Sequence, residues 1–180
     1  MTKTHWNRHD FRIESLTITI SGLEKSIIEL REKLDEIEWY DGLWLLEESE
    51  PVYGLVFIAL QNYINSSIYD RFENLEKQYL MYKLGRKIND TERTDIELII
   101  SLANYFKHRD QPKMLFPETQ KILNDFSLRF EQDVDIENSP IFKGLDLFTA
   151  NWNIFKLIDT VKEWREKLWI DENNTNHNTS

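Results

Sequence analysis

Residues 13–37 read IESLTITISGLEKSIIELREKLDEI. In this stretch Ile13, Leu16, Ile20, Leu23, Ile27, Leu30, Leu34 and Ile37 follow one another at alternating spacings of three and four, which is the seam of a heptad pattern. The seam predicts one long helix over about 10–38, with Asp10 as its N-cap. Thr17 to Ile20 has the β-branched character of a strand, and Ser21-Gly22-Leu23-Glu24 has the form of a capping box. The unbroken seam outweighs both. A neighbour must cover it, either a second copy of the chain or another helix of the same one.

Further along, Trp39-Tyr40-Asp41-Gly42-Leu43-Trp44 reads as an aromatic connection with Gly42 as a C-terminal stop. Ser49-Glu50-Pro51 reads as a helix start, because proline suits a first turn and acidic residues suit the positive end of the helix dipole. The helix so opened is predicted over about 50–84, ending at Gly85. It is apolar nearly all round from Val52 to Ile64, as a central element would be. Thr94-Asp95-Ile96-Glu97 is a capping box for a third helix running to about Lys107. Pro117 opens a short helix carrying Ile122, Phe126 and Phe130, and residues 131–144 read as a loop. A last helix over about 146–170 repeats the seam through Leu147, Ala150, Ile154, Leu157, Val161, Trp164 and Leu168.

These segments predict an all-α fold, a helical bundle of about five helices, three of them long. Residues 1–10 are expected to be a flexible polar arm, 11–170 a single α-helical domain, and 171–180, rich in Asn, a disordered tail.

Composition agrees. Of 180 residues 41% are hydrophobic and 30% charged, a globular balance, and five Gly with four Pro are too few for the turns of an all-β chain. There is no cysteine, which removes disulfides and thiolate metal sites. No apolar run approaches the roughly 20 residues that span a bilayer, and the first residues lack the apolar core of a signal peptide, so a cytoplasmic protein without membrane contact is expected. A net charge of −10 repels phosphate backbones and argues against general DNA binding.

The third helix carries the chemistry. Counting about 100° per residue from Glu97, the side chains of Ser101, Asn104 and His108 fall within about 40° of it, in one stripe. Ile96, Leu98, Ile99, Ile100, Leu102, Ala103, Tyr105 and Phe106 cover the rest of the circumference. A buried helix with one polar row needs a polar counterpart, since an unpartnered buried group costs roughly 1–3 kcal/mol. The second helix offers Asn62, Ser66, Tyr69 and Glu73 at spacings of four, three and four, with Gln61, Asn65 and Asp70 beside them. The facing rows suit a polar network that fixes register, a binding or catalytic cleft, or a site shared across a two-fold axis. At the helix end Lys107, His108 and Arg109 make the most basic spot of an acidic chain. The helix dipole alone favours cations there, yet with Tyr105 and Phe106 adjoining, a phosphate or a single-stranded base also suits it.

An Asn and a His at the end of an inner helix of such a bundle resemble the HEPN superfamily, all-α domains of bacterial defence, toxin–antitoxin and RNA-processing systems. Ribonucleases of that superfamily use Arg-x(4–6)-His, with Asn often next to the Arg, and both chains of a dimer build one site. The polar stripe, the facing row and the basic turn offer Glu97 as a further catalytic candidate and Lys107, Arg109, Tyr105, Ser101, Asn62, Asn65 and Tyr69 for binding. The resemblance implies His108 as general acid or base and Asn104 as a polar assistant. It also implies a homodimer and an RNA or nucleotide ligand. Positions 101, 102 and 103, where the arginine should stand, are Ser, Leu and Ala. The resemblance therefore implies a member that is inactive, nucleotide-binding or partner-binding.

Glu47-x-x-Glu50 and Asp70-x-x-Glu73 resemble the acidic motifs of all-α nucleotide pyrophosphatases of the MazG type, which hold Mg²⁺ between facing helices. On one continuous helix, however, Glu50 and Asp70 stand about 30 Å apart. No metal site and no cofactor are expected. The alternative to nucleic-acid or nucleotide handling is a non-catalytic, homodimeric protein-interaction or immunity-type module.

Overall fold

A computed structural model describes residues 8–89, 91–131 and 134–170. The tail 171–180 and residues 1–7 of the expected arm lie outside them. Among the described residues the chain is all-α, with no strand beyond an isolated bridge between Lys87 and Thr94. The described residues form seven α-helices where about five were expected: α1 (Ile13–Glu36), α2 (Gly42–Phe72), α3 (Gln78–Tyr82), α4 (Asp95–His108), α5 (Pro117–Asp125), α6 (Pro140–Phe148) and α7 (Phe155–Ile170).

The seam helix forms without a break at Ser21-Gly22, and Ser21 Oγ turns back to the Thr17 carbonyl at 2.8 Å. Leu16, Ile20 and Ile27 are buried against the neighbouring helices, while Leu34 near the C-terminal end is exposed. Asp10 is not the cap. Arg12 holds that position without a side-chain cap bond, and Asp10 instead accepts a hydrogen bond from Tyr63 OH.

The second helix is displaced from its expected range of 50–84. Gly42 starts it rather than stopping the previous one, because the Asp41 carboxylate accepts from the Leu43 and Trp44 amides at 3.0 and 3.1 Å. Pro51 lies well inside the helix, where a missing N–H is normally disfavoured. Its other end comes at Phe72, since Glu73 is left-handed (φ 57°) and Asn74 bonds the Phe72 carbonyl and the Glu76 amide. That Asx turn separates α3 from α2.

The last predicted helix, 146–170, is two. Residues 140–148 form α6, which Pro140 opens from the expected loop with Ser139 as N-cap. Trp152 then takes a left-handed conformation (φ 51°), and Ala150, placed on the seam by its spacing, is exposed. The short helix at Pro117 ends at Asp125, before Phe126 and Phe130, and Ser127 is left-handed (φ 58°).

At the centre α2 and α4 cross, with α1 and α7 against α2 and with α5 and α6 against α4. Two glycines allow the close approaches. A Cβ on Gly54 would enter the Phe106 ring, and one on Gly144 would meet the Leu102 side chain. Leu98, Ile99, Leu102 and Ala103 of α4 are fully buried, and the buried apolar side chains form one contiguous cluster. No helix among the described residues is long and apolar enough to cross a membrane.

Candidate functional site

The N-terminus of α4 carries the expected capping box. Thr94 Oγ1 accepts from the Glu97 amide at 3.2 Å, and Glu97 Oε2 accepts from the Thr94 amide at 2.9 Å. Glu97 Oε1 also accepts from Arg93 Nη1 at 3.0 Å. Arg93 in turn meets Glu118 at 2.9 Å and Asp125 at 2.7 Å, both on α5. Burial opposes the Arg93 charge, but Asp125, Glu97 and Glu118 overcome that penalty and hold its pKa above the ordinary value.

From this anchor the polar row of α4 runs along the wall of a cleft of about 630 Å³. Glu97, Ser101 and Asn104 line it, and α2 contributes Gln61 and Asn65. Gln61 Nε2 donates to Asn104 Oδ1 at 2.9 Å, and its Oε1 accepts from Lys107 Nζ at 2.7 Å. Asn104 Nδ2 reaches Thr119 Oγ1 of α5 at 3.3 Å. Tyr82 OH of α3 donates to Asn65 Oδ1 at 2.7 Å, and burial pushes that hydroxyl's pKa well up. Ser101 is 1% exposed, and among the described residues its Oγ has no hydrogen-bond partner. A serine inside a helix ordinarily bonds the carbonyl four residues back. Desolvation lowers the Lys107 pKa.

The other candidate residues divide among different places. Asn62 and Ser66 line a separate cavity against α1, with Arg12 and Tyr63. Tyr69 is 55% exposed, and Asp70 is buried in a two-pronged pair with Arg12 at 2.9 and 3.1 Å. On α2, then, the flanking Gln61 and Asn65 face the α4 row, and the Asn62, Ser66, Tyr69, Glu73 series does not. Tyr105 and Arg109 belong to a second pocket of about 400 Å³. There Arg109 Nη1 meets Glu50 Oε2 at 2.5 Å, and Ser139 Oγ donates to Glu50 Oε1. Burial first, then the Glu50 charge, push the Tyr105 pKa up to about 12.

His108 is half-buried at the last residue of α4 and is not among the residues lining the cleft. Its imidazole makes no hydrogen bond or ion pair among the described residues. The basic turn is thus divided, Lys107 bonding a cleft residue and Arg109 serving the second pocket. Among the described residues no group of three or more His, Asp or Glu side chains is placed to hold a metal ion. Glu50 and Asp70 each pair with an arginine instead.

The sequence reading missed the third wall. Phe116, Glu118, Thr119 and Ile122 of the α5 segment complete the cleft, and Gln78 and Tyr79 come from α3. The amphipathic spacing of Thr119, Ile122 and Leu123 marks an inward face on α5, but nothing in it says which helix that face meets. No family model, curated protein or solved structure matches this chain.

Proposed function

We propose that this chain is a ligand-binding module whose site is the cleft between α2, α3, α4 and α5. It acts in nucleic-acid or nucleotide handling, as the HEPN resemblance implies, and it binds rather than cleaves. The observation that carries the reading is Ser101, a hydroxyl sealed from bulk solvent on a cleft wall with no partner. Buried polar groups are satisfied in the great majority of cases, so an unpartnered one at a cavity of ligand size marks a place for an incoming atom. The cleft carboxylate Glu97 is already bonded to Arg93 and to the Thr94 amide, which leaves it poorly placed to take a substrate proton.

The test is an NMR titration of the labelled protein with a panel of small planar fragments. Amide shifts should cluster at Ser101, Asn104 and Thr119 and vanish in Ser101→Leu, whose side chain fills the cleft, while thermal unfolding confirms that the variant is folded. Shifts scattered over the surface, or none for any fragment, would sink the reading. Incubation with single-stranded RNA supplies a second arm. Cleavage that His108→Ala abolishes would replace binding with a HEPN-type nuclease centred on His108 and Asn104.

A second reading, the homodimeric interaction module, draws on one observation. Trp39 and Trp44 meet edge to face with centroids 5.9 Å apart, and both are exposed beside Leu43 at the α1–α2 tip. A second copy covering that tip would protect it. Sedimentation at graded concentrations decides, since a dimer should dissociate in Trp39→Ala.

A further inference from the structure

The α1–α2 tip and the second pocket form one aromatic and acidic surface, and we infer that it receives a basic, arginine-bearing peptide segment of a partner protein. None of its residues lines the α2–α5 cleft, so its occupant does not depend on what the cleft binds. Trp39, Leu43 and Trp44 are each at least half exposed, and the two indoles meet with their planes at 82°. Edge-to-face contact leaves indole surface uncovered, and Trp is the best aromatic partner for a cation. Around the pair, residues 35–48 carry six Asp or Glu and no Lys or Arg. Two of the six are occupied, Asp41 as the cap of α2 and Glu48 by Lys33 and Tyr40. Asp35, Glu36, Glu38 and Glu47 make no ion pair among the described residues.

Glu47 joins the tip to the second pocket. It stands about one helical turn from Leu43 and Trp44 on α2, and it also lines that pocket of about 400 Å³. Glu47, Glu50, Asp110 and Glu131 line the pocket against one cation, Arg109, a surplus of three negative charges. Arg109 is held by the buried Glu50, so the surplus rests with the other three, of which Glu131 meets Arg129 only at 3.7 Å. A segment with arginines a few residues apart can set one guanidinium on the indoles and another among these carboxylates, which its planar fork suits. Charge turns away other occupants. A second copy closing a two-fold contact through the tip would set the carboxylates against their own equivalents. A bilayer, which exposed Trp otherwise suits, is repelled wherever its lipids are anionic.

The experiment is an NMR titration of the labelled full chain with a synthetic octapeptide carrying three arginines among glycine and serine, and with its counterpart in which glutamate replaces each arginine. The basic peptide should shift the amides of Trp39, Leu43, Trp44 and Glu47, leave Ser101 and Asn104 in place, and bind more weakly as salt is added. The acidic peptide should shift nothing. Trp44→Ala and Glu47→Gln, both at exposed positions, should each weaken the binding roughly fivefold. Glu76→Gln removes an equal charge beyond the other end of α2 and should leave it unchanged. Shifts spread over the whole acidic surface, or an equal loss in Glu76→Gln, would reduce the binding to unspecific attraction by a net charge of −10 and overturn the site. A basic peptide that shifts nothing would overturn it as well. If the same amides move with protein concentration alone, or on adding phosphatidylcholine vesicles, the tip belongs to a second copy or to a lipid surface instead. Ser101 and Asn104 report the cleft separately, so this surface and the cleft can each fail alone.

Discussion

Gln61 of α2 and Asn104 of α4 are joined by a single hydrogen bond of 2.9 Å, and through Gln61 the bond extends to Lys107. The pair links the two central helices on the wall of the cleft. Gln61→Leu removes the donor to Asn104 and the acceptor for Lys107, and should cost about 1–2 kcal/mol. Asn104→Leu should cost a similar amount. The double variant should lose less than the two together, with a coupling of about 0.5–1.5 kcal/mol. Urea unfolding of the four proteins measures it, and strict additivity would show that the bond carries no stability.

Gly54 sits where the α2 backbone meets the Phe106 ring. Gly54→Ala gains helix propensity but drives a methyl into a ring held in a packed core. Overpacking should win, at about 1–3 kcal/mol of lost stability. Phe106→Leu in the same chain should restore part of it, because the smaller side chain vacates the space the methyl needs. A stabilised Gly54→Ala, read from thermal unfolding, would mean that α2 and α4 separate more easily than their packing indicates.

The same contact explains what sequence could reveal of this site. The α4 row was legible because its determinants are local: a capping box fixes where the helix starts, and residues 97, 101 and 104 then share a side by geometry alone. The matching row on α2 was not. Neighbouring residues differ by about 100° around a helix, so whether Asn62 or Gln61 faces α4 depends on the rotation of α2, which tertiary packing at Gly54 helps to set. The α2–α3 break at Asn74 and the α6–α7 break at Trp152 escaped for a related reason. Each lies within an apolar periodicity that continues across it: left-handed Glu73 ends α2, and extended Thr149 with left-handed Trp152 parts α6 from α7, without interrupting the pattern. The α5 wall carries no motif at all, and only the fold brings Thr119 to Asn104.

Tyr105 makes the second pocket sensitive to alkali. Burial and the nearby Glu50 charge raise its pKa from 10.0 to about 12 in the folded chain. An acid with a raised folded pKa contributes stability that is complete below the unfolded value and is lost as pH rises through the folded one. The loss should therefore run from about pH 10 to about pH 12. Tyr105→Phe should flatten that part of the profile, so denaturant midpoints at pH 9 and pH 11.5 should differ less than in the parent. An equal drop in both proteins would place the alkaline sensitivity elsewhere, for instance at Tyr40, whose pKa burial also lifts to about 12.

Arg93 holds α5 to the start of α4, with its side chain only 13% exposed among the carboxylates of Glu97, Glu118 and Asp125. The three bonds are unequal in worth. Glu118 and Asp125 are open to solvent, where an ion pair contributes little. Glu97 is buried, and without Arg93 its charge would keep only the Thr94 amide. Arg93→Met preserves the apolar stem and should cost about 2–4 kcal/mol, most of it the stranded Glu97 charge. Glu97→Gln added to that variant removes the charge yet still accepts the amide bond of a capping box, and should recover most of the loss. Fragment binding at the cleft should follow the same order, because Arg93→Met alone leaves an uncompensated carboxylate on the cleft wall and the double variant does not. Recovery of stability without recovery of binding would show that Arg93 shapes the cleft through α5 rather than through its charge.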